Sequence, residues 1–164
     1  MSIFVETINL ISLLYHSFLN DRMQAFEAIE NGNNDFLSIM DESYMFSRDE
    51  SGNTPLHVAA ACSNLPAVEI LLQRGSNPNA KNELRWTPLH YAAVNANLAI
   101  VKKLLDYNAD PQQRSDEGLI PLVVAISDEV RKKLRDGEVS VYDFGQMISL
   151  LSTHGENVKD PGYV

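Results

Sequence analysis

Thr54-Pro55-Leu56-His57-Val58-Ala59-Ala60 recurs 33 residues later as Thr87-Pro88-Leu89-His90-Tyr91-Ala92-Ala93, and one further step reaches Ile120-Pro121-Leu122-Val123-Val124-Ala125. Downstream segments keep the register: Val68-Glu69-Ile70-Leu71-Leu72 matches Val101-Lys102-Lys103-Leu104-Leu105, and Gly75-Ser76-Asn77-Pro78-Asn79 matches Asn108-Ala109-Asp110-Pro111-Gln112. Two independent halves of a unit agree on one period, as stacked repeats do. Thr54 and Thr87 suit an N-cap, and Pro55 and Pro88 suit the first helical position, where no backbone donor is missed. Each motif therefore opens a helix. Ala59, Ala60, Ala92 and Ala93 keep it thin so that neighbours approach closely. Leu71, Leu72, Leu104 and Leu105 on a second helix fill the layer between units, each contributing roughly 1.5 to 3 kcal/mol when fully buried. Gly75 and Asn108 stand where a helix ends in a left-handed residue.

The motif TPLHxAA, with LLxxG following at the same period, resembles the ankyrin-repeat family. The resemblance implies an all-α solenoid of stacked helix-turn-helix units joined by hairpin loops. It divides the chain into an N-terminal capping helix (1–20), a divergent first repeat (21–48), two regular repeats (49–81 and 82–114), a C-terminal repeat (115–159) with an insertion near 127–140, and a tail (160–164). In the first segment Phe4, Ile8, Ile11 and Phe18 recur at helical spacing, which fits a capping helix, a partner-binding helix or a membrane-surface helix. In the second, Asp21 with Gln24 can form a capping box, Gly32 stops a helix, and Phe36, Leu37, Ile39 and Met40 restart one. Aligning Gly155 with Gly75 leaves about fourteen extra residues between Ala125 and Ile148. The simplest accommodation lengthens the first helix of that repeat through Val130 and Leu134, breaks it at Asp136-Gly137, and restarts after Ser140, where Ser140 and Asp143 form a weak capping box.

Composition narrows the function. Acids outnumber bases 22 to 13, a net charge of −9, and that field repels nucleic-acid phosphates and anionic membranes while attracting basic partners. The single cysteine, Cys62, cannot form an intramolecular disulfide and suits a reducing cytoplasm. The apolar run of the first nineteen residues is interrupted by Glu6, Asn9, Ser12, His16 and Ser17, so neither a signal peptide nor a membrane span is expected there. Arg131-Lys132-Lys133-Leu134-Arg135 is the one dense basic run, and Glu129 four residues before Lys133 makes it a solvated helix face.

No catalytic constellation assembles in the sequence. His57 and His90 share one repeat position, where the family's histidine bonds the motif backbone and threonine; equivalent positions lie on the order of 10 Å apart, too far to share a zinc ion. Cys62 lies about 140 degrees around a helix from His57, so no dyad forms. Gly-rich phosphate loops, zinc motifs and calcium loops are absent, so neither cofactor nor metal is expected. The reading is a non-enzymatic protein–protein interaction module, monomeric when free, serving as an inhibitor or immunity protein or as an adaptor or effector. A hydrolase with an unrecognised site in the C-terminal insertion is the alternative. The resemblance implies partner binding on the concave face made by hairpin tips and first helices. Carried onto this chain, the partner-binding residues are Glu50, Ser51 and Asn53; Glu83, Leu84 and Trp86; Asn95; and Asp116, Glu117 and Leu119. Trp86 and Leu84 beside acidic tips form an apolar anchor with a charged rim. Arg85 replaces the family's hairpin glycine, which leaves the geometry of that tip open.

Overall fold

The computed structural model describes residues 25–156. Among them every regular element is helical: α1 (25–30), α2 (Asn34–Ile39), a 3-10 turn (Glu42–Phe46), α3 (Pro55–Ala61), α4 (Leu65–Gln73), α5 (Pro88–Val94), α6 (Leu98–Asp106), α7 (Pro121–Ala125), α8 (Asp128–Arg135) and α9 (Val141–Glu156). The expected helix over residues 1–20 and the Asp21–Gln24 capping box lie outside the described residues.

The helices form two layers. An inner row packs α3 on α5 and α5 on α7; an outer row packs α2 on α4, α4 on α6 and α6 on α9. Leu56, Leu71, Leu89, Leu104, Val68, Val101 and the four motif alanines are wholly buried between them, as the repeat pattern requires. The inner helices of the two regular repeats, α3 and α5, start with a capping box, in which the threonine hydroxyl takes the histidine backbone N–H and the histidine ring takes the threonine N–H, whereas α7 follows Ile120 without one. Each outer helix of the regular repeats starts at an asparagine: Asn64 accepts from the Ala67 N–H and Asn97 from the Ile100 N–H, both at 3.1 Å. Gly75 and Asn108 adopt the left-handed conformation, with φ of 90° and 63°.

Gly32 ends α1 with φ 72°, and α2 buries Leu37 while Ile39 faces water. Arg74 fastens this first unit to the next by donating to the Leu37 and Met40 carbonyls at the end of α2.

The third repeat corrects the sequence expectation. Its first helix is not lengthened: α7 stops at Ala125, residues 126–127 break it, and α8 starts afresh. An unbroken helix would carry Val130 about 120° around from Val124 and about 140° from Ala125, off their buried face. The break lets Val130 be fully buried instead. The expected stop at Asp136-Gly137 is present, with Gly137 at φ 75°, and the Asp143 N–H meets Ser140 Oγ at 3.5 Å. α9 continues through Gly155 instead of ending there.

Candidate functional site

Between successive units the chain runs out into three fingers, centred on Gly52, Arg85 and Gly118. One polar side chain holds each finger at its root. Asp49 Oδ1 accepts from the Ser51 and Asn53 N–H groups, Asn82 Oδ1 from those of Leu84 and Trp86, and Ser115 Oγ from that of Leu119. These three residues lie at one repeat position. The fingers are joined in a row by main-chain bonds, Glu83 N–H to the Ser51 carbonyl (3.1 Å) and Asp116 N–H to the Leu84 carbonyl (3.0 Å).

The histidines tie fingers to inner helices. Nδ1 of His57 accepts the Thr54 N–H at 3.1 Å, so Nε2 carries the proton and donates to the Trp86 carbonyl at 3.0 Å. His90 repeats this with Thr87 and the Leu119 carbonyl. Burial pushes His57 down to about 4 and lowers His90 as well, so both are neutral. With both ring nitrogens engaged, neither ring is available to a metal or a substrate. Cys62 is exposed as a residue; partial burial of its sulfur, reinforced by Glu30, raises the thiol above its ordinary range, which favours the protonated form.

The residues expected to meet a partner divide into two groups. Glu50, Glu83, Asp116 and Glu117 stand exposed along the tips, beside Ser51 and Leu84, the latter 63% exposed. Arg85 shares this rim and approaches Asp116 at 3.9 Å. Arg48 and Arg114 at the finger roots are exposed and donate to the carbonyls of Gly52 and Gly118, so cations stand among the carboxylates of the tips. Leu119, Trp86 and Asn53 form the second group, half-buried. The Trp86 ring packs on Tyr91 and His90, with centroids 5.2 and 5.6 Å apart, and Asn53 Oδ1 accepts from Asn82 Nδ2 and the Tyr91 hydroxyl.

Asn95 stands at the other end of the inner helices. Its amide donates to the Ala61 carbonyl at 2.7 Å, and its oxygen meets Lys133 Nζ at 3.3 Å, so it is occupied within the fold. Tyr91 was not foreseen as part of the face; it is half-buried between Trp86 and the Asn53–Asn82 pair. Its signal was the half-buried slot after the motif histidine, where Val58 and Tyr91 differ while their neighbours repeat.

A groove of about 430 Å³ runs between the start of α6 and the insertion, past Lys102, Glu138, Val139, Ser140 and Asp143. Its lining includes no histidine or cysteine, and Lys102 is held by Gln146 at 3.2 Å. Among the described residues no group of three or more His, Cys, Asp and Glu side chains converges on a metal position, and no helix is long and apolar enough to cross a membrane.

The family model described as ankyrin repeats (3 copies) matches residues 7–82, 23–115 and 74–141. Ankyrin repeats generally serve as protein–protein interaction modules and are typically non-enzymatic. The overlapping matches reach from the N-terminal region into the insertion, over the same units that the capping boxes, fingers and paired helices define: this chain belongs to the ankyrin-repeat family.

Proposed function

We propose that the finger row and the inner helices bind a protein partner, with Leu84, Trp86 and Tyr91 as the apolar anchor and Glu50, Glu83, Asp116 and Glu117 as its rim. The observation that carries this is the tip of the second finger. A leucine 63% exposed sits there beside a half-buried tryptophan and four exposed carboxylates. Aromatic anchors ringed by polar groups concentrate binding energy. The acidic rim and the net charge of −9 favour a basic partner surface and disfavour nucleic acid and anionic membrane. The free chain acts as a cytoplasmic monomer without cofactor, and blocking or scaffolding its partner, as an inhibitor or immunity protein or as an adaptor or effector, is its task.

A photo-crosslinking residue at position 84, compared with one at Gln73 on the outer layer, tests the surface in extracts of the source cell. The expected result is a protein captured from position 84 alone, with Trp86→Ala weakening its binding by about 2 kcal/mol. The same variant lowers stability by about 1 to 3 kcal/mol, because the ring also packs on Tyr91 and His90. Equal capture from both positions refutes the surface.

A further inference from the structure

Every finger repeats one charge pattern. The cations Arg48, Lys81 and Arg114 share one repeat position at the roots, and the exposed carboxylates Glu50, Glu83 and Asp116 share another, two residues on. Contacts place them alike. Arg48 and Arg114 donate to the carbonyl of the left-handed residue of their own finger, Gly52 and Gly118. Arg48 and Lys81, beside His57 and His90, add to the burial that keeps those rings neutral. The carboxylates of the second and third fingers lean back on the preceding tip: a Cβ on Gly52 would fall 3.0 Å from Glu83 Cγ, and Asp116 approaches Arg85, at the position equivalent to Gly52, at 3.9 Å. Three finger charges stand off the period. Asp49 turns its carboxylate to the Ser51 and Asn53 N–H groups, while Arg85 and Glu117 are exposed on the second and third tips.

The step between fingers follows from two dimensions that agree. Packed helices stand about 8 to 10 Å apart. Each finger is two chain runs wide, bonded within itself from the Asp49 N–H to the Asn53 carbonyl and to the next from the Glu83 N–H to the Ser51 carbonyl, at about 4.8 Å per run. Both charge rows therefore repeat at about 10 Å. Seven residues of α-helix rise about 10.5 Å and come back to within about 20° of the same face. An extended strand returns to one face only every second residue, after about 6.8 or 13.6 Å, and falls out of step by the second finger.

We propose that the finger row takes an α-helix of the partner laid along it, with basic residues at i, i+7 and i+14 opposite Glu50, Glu83 and Asp116. Acidic residues on the flank of that helix meet Arg48, Lys81 and Arg114, and an apolar residue three or four positions from the middle cation meets Leu84. This rests on the fingertips being the binding surface. Leu84, 63% exposed, is the apolar side chain at the tip of the middle finger, so it anchors the helix halfway along. Arg85 weakens the pull between the second and third fingers and Glu117 strengthens the third, which makes the two directions of the helix unequal. Charge reversal across such a row is strongly penalised, so spacing as well as sign selects the partner.

Two phage-displayed libraries test this, one randomising an exposed helical face of a stable three-helix bundle, the other made of unstructured peptides of equal length. Both are selected against the full chain, its Glu50→Lys/Glu83→Lys variant and Leu84→Asp, with folding of each checked by circular dichroism. Wild type enriches helical clones with basic residues seven apart. Glu50→Lys/Glu83→Lys lowers recovery of those clones about tenfold or more and enriches acidic residues at the same spacing. Leu84→Asp loses them. Basic residues at other spacings, enrichment confined to unstructured peptides, or recovery indifferent to the charge reversal overturns the proposal and leaves the fingertip surface standing. Enrichment that survives Leu84→Asp, or none from either library, overturns the fingertip reading as well.

Discussion

The three fingers place Gly52, Arg85 and Gly118 at one repeat position with φ of 75°, 59° and 77°, so the same substitution in different fingers separates backbone strain from contact. A side chain in the left-handed region costs about 1 to 2 kcal/mol, and glycine returns about 0.4 to 1 kcal/mol of that through the entropy of the unfolded chain. Arg85→Gly should therefore stabilise by about 0.5 to 1 kcal/mol, less whatever the solvent-exposed contact with Asp116 contributes, which at 3.9 Å is close to nothing. Gly118→Ala should cost about the same amount, because a Cβ there meets nothing within 4 Å. Gly52→Ala should cost about 2 kcal/mol, because its Cβ falls 3.0 Å from the Glu83 backbone nitrogen and Cγ, which strains the Glu83–Ser51 bond worth about 1 kcal/mol. Urea unfolding reads all three as shifts of midpoint at constant m. The corresponding shifts in Tm are about 2 to 4 °C per kcal/mol. Equal losses for Gly52→Ala and Gly118→Ala would refute the claim that neighbouring fingers touch at this point. Destabilisation by Arg85→Gly would show that the arginine side chain, not the backbone, holds its tip.

Stability should fall with pH below neutrality. The unfolded histidine titrates near 6.5 and folded His57 near 4, so between those values the unfolded chain binds more protons and gains. No penalty exists above 6.5; by pH 5 His57 alone should remove about 2 kcal/mol, and His90 acts in the same direction. Urea midpoints at pH 7, 6 and 5 should fall in that order, and a flat profile counts against both buried rings. Arg74→Met should cost about 1.5 to 3 kcal/mol by leaving the Leu37 and Met40 carbonyls without their charged donor. Hydrogen exchange should accelerate over residues 34–46 far more than over α5 and α6, and uniform acceleration would mean that Arg74 does not specifically hold the first unit.

How much could be read in advance depended on whether identity or only chemistry repeats. Thr-Pro-Leu-His returns letter by letter because the threonine–histidine box and the first-turn proline admit few substitutes. Asp49, Asn82 and Ser115 hold the three fingers by the same side-chain acceptor, yet a search for identical letters passes them by, since any short side chain with an oxygen serves. The outer-helix caps Asn64 and Asn97 are identical, but they stand between the two segments that define the period. Ser63 and Ala96 before them take φ of 56° and 52° without the glycine that would have marked a turn. Arg85 shows the opposite: the unfavourable residue left its tip undecided, and the Asn82 clamp with the Glu83–Ser51 and Asp116–Leu84 bonds imposes the turn regardless. In the third repeat the break at residues 126–127 was missed because apolar spacing through Val130 and Leu134 reads as one helix. Only the burial of Val130 shows that two are needed.

The residues expected to meet a partner divide by which of their atoms the fold uses. At positions 53, 86 and 119 the main-chain carbonyl closes the finger, accepting from the N–H of Asp49, Asn82 and Ser115, and at 86 and 119 it also receives a histidine Nε2. The backbone meets those demands whatever the side chain is, and the sequence there reads Asn, Trp and Leu. Those bonds therefore do not fix the identity of the side chain. Asn53, bonded through its side chain to Asp49, Asn82 and Tyr91, and Asn95 are the counterexamples among the expected contact residues. The Asn95 side chain carries the bond to the Ala61 carbonyl and receives Lys133, so it does work for the fold that Trp86 does only through its ring contacts. A substitution at 95 should consequently weaken the docking of α8, whereas one at the exposed Leu84 should barely touch the fold.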